Sequence, residues 1–217
     1  MGPRVALLLL LAVSGGCTAG MAGFMDDVQA PLPGTARGSP ESFVRNFENV
    51  LAEELVEALL HELHPLDAMA NAGGTLPFGK RQTFWIGRDQ APRCAAERAI
   101  KLLQEFTFPD SLGGPSAFGV VGCKYWVQAR GSDSDVDFHY DKDESAASNK
   151  QRMIFPSLST ITYLTDGGAP TVILNQTTNQ FGNDEVPAVP SEGYLSFPMA
   201  GKHLHFNGHA QVCCSLL

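Results

Sequence analysis

His139 and Asp141 are the two residues of this chain best suited to hold a metal ion. They flank Tyr140 in a strand-like run, so their side chains point to one side while Tyr140 points to the other. An imidazole and a carboxylate on one face can bind one cation. A histidine from elsewhere would complete a two-histidine, one-carboxylate iron site with open coordination positions. The alternative for so short a pattern is an incidental hydrogen-bonded pair on the surface.

Two amphipathic helices are predicted ahead of this run. Ser39, Pro40 and Glu41 form a typical helix start, with a hydroxyl cap, a proline and an acid in the first turn. Apolar residues then recur every three or four positions, which predicts one helix over residues 39–63; they are Phe43, Phe47, Val50, Leu51, Leu55, Ala58, Leu59 and Leu63. A second helix is predicted over residues 92–106, with an apolar stripe of Ala96, Ile100, Leu103 and Phe106.

From about residue 117 the apolar period changes from helical to strand-like. The predicted strands cover residues 118–129, 136–140, 158–164, 171–174, 194–197 and 202–206, and clusters of glycine and proline separate them. Helices followed by short strands predict an α+β protein in which the helices buttress a β-sandwich or barrel.

The first 19 residues are predicted to be a secretory signal peptide. A basic start precedes an unbroken apolar run over residues 5–13, and small residues follow up to a cleavage site at Cys17, Thr18 and Ala19. The alternatives are an uncleaved anchor or a buried helix. The leader predicts a chain in the endoplasmic reticulum or secreted from it, with no stable membrane span once the leader is removed. Residues 20–38 lack periodicity and are predicted to be a flexible linker.

The composition of the chain limits the kinds of molecule that it is expected to bind. The chain has 217 residues, 44% of them hydrophobic, and a formal charge of −8 without any basic run. This argues against a nucleic-acid partner, since a phosphate-binding surface needs clustered lysine and arginine. Beyond the leader, Cys94, Cys123, Cys213 and Cys214 fit no zinc motif and define no disulfide framework. Asn175 begins a weak glycosylation sequon.

Several runs in order carry a family resemblance. They cover residues 124–130, 138–144, 156–174 and 198–208. Their order resembles the iron(II)/2-oxoglutarate-dependent dioxygenase superfamily, in particular its prolyl-4-hydroxylase-like branch, over about residues 118–211.

The resemblance implies a double-stranded β-helix, or jelly roll, over residues 111–217, supported by a helical region over residues 39–110. It implies that His139 and Asp141 are iron(II) ligands, that 2-oxoglutarate is the co-substrate, and that ascorbate serves as an accessory reductant. The implied reaction hydroxylates a C–H bond of a peptidyl substrate, prolyl residues included, or of a small molecule, and releases succinate.

The chain departs from the family pattern near its C-terminus. The family places its second histidine in the motif F-D-G-x-x-x-H-G, and Val212 stands at that position here. The basic residue that binds the far carboxylate of 2-oxoglutarate has no counterpart after it. We therefore expect the last barrel strand to be missing, with a sheet edge exposed. Our hypothesis is that residues 212–217 are translated from an unspliced intron.

Three nearby histidines are candidates for the missing ligand. His209 is the first of them, although its odd offset from Val212 places it on the opposite face of a regular strand. His203 and His205 are weaker candidates, and all three otherwise belong to a solvated polar face. Three readings follow: an active hydroxylase, an inactive truncated isoform or binding module of the same fold, and a β-sandwich with an incidental His139–Asp141 pair.

Overall fold

The computed structural model describes residues 5–15, 43–71, 83–131, 136–143, 147–148, 153–177 and 189–214. Only the backbone is described for residues 5–15, 63–71, 129–131, 136, 177 and 214. Ten strands occur in this part of the chain: β1 (Val5–Gly15), β2 (Val44–Phe47), β3 (Phe84–Gly87), β4 (Val120–Gly131), β5 (Val136–Tyr140), β6 (Leu158–Tyr163), β7 (Thr171–Thr177), β8 (Gly193–Ser196), β9 (His203–Asn207) and β10 (Ala210–Cys214). The helices are α1 (Glu53–Asn71), α2 (Ala95–Thr107) and the single turn α3 (Gly114–Ala117), with a 3-10 turn at Asp110–Leu112.

The strands form two antiparallel sheets. The larger sheet has the order β2-β9-β6-β1-β4-β3, and the smaller has the order β5-β10-β7-β8. Each ladder between neighbouring strands is antiparallel. The predicted α+β class is therefore confirmed.

Two apolar clusters stack the elements into three layers. The first cluster lies between the helices and the larger sheet and includes Leu59, Ile100 and Leu103. The second joins the two sheets through Ile161 of β6, Ile173 of β7 and other residues. Every residue of β6 is buried, because α2 and its neighbours cover one face of the larger sheet and the smaller sheet covers the other.

The helix predicted over residues 39–63 is wrong in its first part. Residues 44–47 form β2, which pairs with β9, and α1 begins only at Glu53. Phe43 and Phe47 have the spacing of a helical stripe, but sheet pairing overrides that local signal. Asn49 separates the two elements with a φ of 56°, which a right-handed helix does not allow. Ser39, Pro40 and Glu41 lie outside the described residues. The second predicted helix is confirmed as α2.

The six predicted strands are confirmed as β4 to β9, with small differences at their ends. The sequence did not predict β2, β3 or β10, nor that residues 5–15 lie as a strand between β4 and β6. The secretory leader itself stays a prediction, and the linker over residues 20–38 lies outside the described part. Among the described residues, no helix has the length and apolar character needed to cross a membrane.

The turn between β9 and β10 depends on glycine at position 208. A Cβ atom there would overlap the carbonyl oxygen of Pro156 at well under 3.0 Å, and backbone atoms cannot move away cheaply. This close approach lets the chain reverse within two residues and sets the start of β10, the strand that carries Val212.

Candidate functional site

His139 and Asp141 lie together at the end of β5, as predicted from their spacing. The His139 Nε2 and Asp141 Oδ1 atoms are 3.8 Å apart. The His139 side chain is 42% exposed, whereas that of Asp141 is 8% exposed. The pair therefore has one partner near solvent and one in the interior, as a site reached from outside requires.

A backbone contact fixes the protonation of His139. Its Nδ1 atom lies 2.9 Å from the carbonyl oxygen of Asp137, and a carbonyl can only accept a hydrogen bond, so Nδ1 carries the proton. In the neutral ring Nε2 then keeps its lone pair. Metal-binding histidines commonly have this arrangement, in which the second nitrogen is oriented by an acceptor.

The carboxylate of Asp141 is buried and accepts a hydrogen bond from a hydroxyl group. The Ser159 hydroxyl on β6 donates to Asp141 Oδ2 at 2.9 Å. Burial raises the pKa of Asp141, while the hydrogen bond from Ser159 and the charge interaction with His139 act against that rise. A cation beside Asp141 would favour the ionised carboxylate, because its positive charge offsets the cost of burying the negative charge away from water.

The geometry of the pair fits a divalent cation. Imidazole nitrogen and carboxylate oxygen bind such ions at about 2.0–2.2 Å. Atoms 3.8 Å apart are thus within the reach of two bonds to one ion. The pair alone would fill two coordination positions.

Val212 lies opposite His139 on the neighbouring strand. It pairs with His139 in the ladder between β10 and β5. Residues directly opposite in an antiparallel ladder share a face, with Cβ atoms about 4.5–5.5 Å apart. The Val212 side chain is buried in the cluster between the sheets. An apolar side chain that cannot bind metal therefore lies beside His139.

His209 does not join the pair. It lies in the turn between β9 and β10, where its backbone N–H donates to Asn207 Oδ1 and its ring packs 4.8 Å from the ring of Phe155. Within the described part of the chain, no group of three or more histidine, cysteine, aspartate or glutamate residues could hold a metal ion. The structure thus brings His139 and Asp141 together and leaves His209 apart from them.

His203 and His205 are buried, so the prediction of a solvated polar face is wrong for them. Both point from β9 toward the helical layer, where their rings contact Phe47 and Phe106. Leu204, between them in sequence, faces the other sheet. His203 and His205 therefore point away from the space between the sheets and cannot reach the His139–Asp141 pair.

The two buried imidazoles form a hydrogen-bonded chain. Their Nε2 atoms are 2.8 Å apart, and His203 Nδ1 lies 2.7 Å from the Thr162 hydroxyl. His205 Nε2 also lies 3.3 Å from the hydroxyl of Thr107 on α2. Burial lowers the pKa of His203 to about 3 and that of His205 well below its usual value. Both rings are neutral in the folded protein at pH 7.

The side-chain amide of Asn175 in the predicted sequon is occupied. Its Nδ2 donates to Ser191 Oγ at 2.8 Å, and its Oδ1 accepts from the backbone N–H of Glu192 at 3.2 Å. A glycan on Asn175 would replace an amide hydrogen used in this contact. The sequon remains a weak prediction.

Comparison with known proteins adds no relative. No family model, curated protein or solved structure matches this chain.

Substituting Ser159 by alanine is expected to lower the free energy of unfolding by about 1–3 kcal/mol, because it leaves the buried Asp141 carboxylate short of a donor. It should also raise the pKa of Asp141 further and so weaken metal binding at neutral pH. Urea unfolding and a cobalt(II) titration measure the two effects. Ser157→Ala, just outside β6, is the matched control; equal effects from both variants would contradict the role given to Ser159.

Proposed function

We propose that this chain is a jelly-roll protein of the iron(II)/2-oxoglutarate dioxygenase type, in which His139 and Asp141 bind a divalent metal and the site is one protein ligand short. The observation that carries the proposal is the His139–Asp141 pair, 3.8 Å apart and opposite the buried, apolar Val212. The form with this sequence would then act as a binding module with weak hydroxylase activity or none.

The strand order supports the jelly-roll part of the proposal. Going along the chain, β4, β6 and β9 belong to the larger sheet, whereas β5, β7, β8 and β10 belong to the smaller. The chain thus crosses between facing sheets repeatedly, as jelly rolls do, instead of building one sheet after the other. β1 occupies the position between β4 and β6, although it comes from the other end of the sequence.

Each residue has a defined part in this proposal. His139 would bind the metal through Nε2, since Asp137 holds the proton on Nδ1. Asp141 would bind through Oδ1, since Ser159 occupies Oδ2. The apolar cluster around Val212 keeps water from the inner side of the pair. Iron(II) held by these residues would supply, with 2-oxoglutarate and dioxygen, oxidative decarboxylation to succinate and carbon dioxide, coupled to hydroxylation of a C–H bond.

A second candidate is an active hydroxylase of a peptidyl or small-molecule substrate, with ascorbate as an accessory reductant. The burial of Asp141 favours it, because a carboxylate with a raised pKa beside an oriented histidine is typical of functional sites. A water molecule or a substrate group would then replace the third protein ligand.

The two candidates are separated by anaerobic titration of the purified chain with iron(II) or cobalt(II) and by an assay of succinate release from 2-oxoglutarate. We expect weak one-to-one metal binding that Asp141→Asn abolishes and Asp137→Asn, a matched change on the same strand, leaves intact. Succinate release should not exceed that of the Asp141→Asn variant.

Two other outcomes have clear meanings. Metal-dependent succinate release well above that variant would establish the hydroxylase. Metal binding that is absent, or equally strong in the Asp141→Asn variant, would make the pair incidental and overturn both candidates.

A further inference from the structure

We propose that the gap between β4 and β6 is a strand-binding cleft whose ligand is an extended, uncharged, aliphatic segment, and that the chain's own residues 5–15 are its occupant. This inference goes beyond the proposed metal site and does not depend on it. It rests on the sheet order and on the register of β1 with both neighbours.

β1 is paired along both of its edges. On one side its ladder runs from Val5 opposite Gly131 to Gly15 opposite Val120, which covers the length of β4. On the other side Leu8 lies opposite Tyr163 and Val13 opposite Leu158, which covers the length of β6. A single segment of 11 residues thus satisfies the facing edges of two strands.

Without this segment the larger sheet would be split. β4 and β6 do not pair with each other, because β1 lies between them and pairs with both. Their facing edges are about 9–10 Å apart, twice the usual spacing of strands. That space admits one strand and no more, and two unpaired edges beside an apolar core strongly attract an extended chain.

The walls of the cleft define the chemistry of the ligand. Every residue of β6 is buried, and β4 contributes the buried residues Val120, Cys123 and Tyr125. Residues 5–15 match these walls, since they are uncharged, contain no proline and are almost entirely aliphatic. Proline would remove a ladder hydrogen bond, and a charge would be desolvated without a partner.

β1 is held by its ladders and not by a hairpin. The next strand in sequence, β2, pairs with β9 at the edge of the sheet. Leucine-rich segments have only modest strand propensity, so the strand form of residues 5–15 depends on the cleft. The place of residues 5–15 in the sheet depends on these two ladders, so a second segment that forms the same ladders would compete with them for the cleft. If the same residues are removed as a secretory leader, as their sequence predicts, the cleft becomes available to another segment of this chemistry.

Crosslinking in the full chain tests the register. A short thiol crosslinker should join Leu10→Cys to Ile161→Cys, which lie directly opposite each other, at least about tenfold faster than it joins Leu10→Cys to Leu158→Cys. Mass spectrometry identifies the linked peptides. Equal rates for both pairs would show that residues 5–15 are not seated in the cleft and would overturn the proposal.

Exchange is tested with a full chain whose own strand is disabled. Leu10→Pro should lower hydrogen-exchange protection in β4 and β6 by at least about tenfold, whereas Ala22→Pro, outside the strand, should not. A synthetic peptide of residues 5–15 should restore protection at one-to-one stoichiometry. The same peptide with proline at position 10 should not.

Two results would overturn the cleft as a binding site. Unchanged protection in the Leu10→Pro variant would show that β4 and β6 need no strand between them. Lost protection without rescue by the peptide, in a chain whose crosslink forms, would make β1 a fixed element of the sheet.

Discussion

Lowering the pH from 7 to 5 is expected to reduce the contribution of His203 to the free energy of unfolding by about 2 kcal/mol, and His205 acts in the same direction, because both rings are buried in their neutral form. A histidine whose pKa is lowered by folding binds its proton more readily in the unfolded chain. Its contribution to stability is therefore complete above the unfolded pKa of about 6.5 and is lost as the pH falls toward the folded value of about 3. At pH 5 the loss at His203 is roughly 2 kcal/mol, at 1.4 kcal/mol for each pH unit below 6.5.

The surroundings of the two rings favour this result. They face Thr162 on β6, Thr107 on α2 and the rings of Phe47 and Phe106, none of which supplies a negative charge. The charge of Arg45 on β2 lowers the pKa of His205 further. Folding raises the pKa of Asp141, so that carboxyl group acts in the opposite direction and stabilises the folded chain as the pH falls.

Urea unfolding at a series of pH values measures the effect. His205→Gln should reduce the pH dependence markedly, and Asp141→Asn should make it steeper by removing the opposing group. His61→Gln, at an exposed position of α1, is the control and should leave it unchanged. A stability of the Asp141→Asn variant that is constant between pH 7 and 5 would contradict the buried, neutral state of the pair, because this variant lacks the opposing carboxyl group.

Replacing Val212 by histidine is expected to raise the affinity for iron(II) or cobalt(II) by about ten- to a hundredfold, a range known for changes even one shell away from a metal. The ladder between β5 and β10 places position 212 directly opposite His139 and on the same face. The new imidazole would meet His139 Nε2 and Asp141 Oδ1 from the neighbouring strand. The metal-free variant should be less stable, because a polar ring enters the apolar cluster between the sheets.

Matched variants show whether the effect of Val212→His comes from metal binding by the new imidazole or only from its polarity. Val212→Gln introduces a polar side chain similar in size to histidine that binds metal poorly. This variant should lose stability without gaining affinity for the metal. Val212→His together with His139→Ala should fall back to weak binding. An affinity unchanged by Val212→His, measured by calorimetry on folded protein, would show that the two strands do not hold their residues around a common point.

The sequence predicted well where local pattern and tertiary setting agree. Strands β4 to β9 alternate or stand between turn signals, and α2 has a clear apolar stripe, so each was found from its own residues. The common orientation of His139 and Asp141 follows from the two-residue period of a strand.

The predictions from sequence failed where residues distant in the chain determine the local structure or burial. Phe43 and Phe47 have helical spacing, yet pairing with β9 makes residues 44–47 a strand. His203 and His205 alternate with apolar residues as a solvated face would, and only the position of α2 over that face buries them. The apolar run of residues 5–15 has no alternation, because the helices cover one face of the larger sheet and the smaller sheet covers the other, so a strand in its middle needs no polar face.

The position of β1 has a consequence for biosynthesis. Leu8 is among the first residues made, and its partner Tyr163 follows about 155 residues later. At roughly 5–20 residues per second, that interval lasts about 8–30 s. The most apolar segment of the protein therefore leaves the ribosome long before the strands beside it exist. During that time any factor that recognises the predicted leader has access to the segment, and its capture would leave the larger sheet without the strand between β4 and β6.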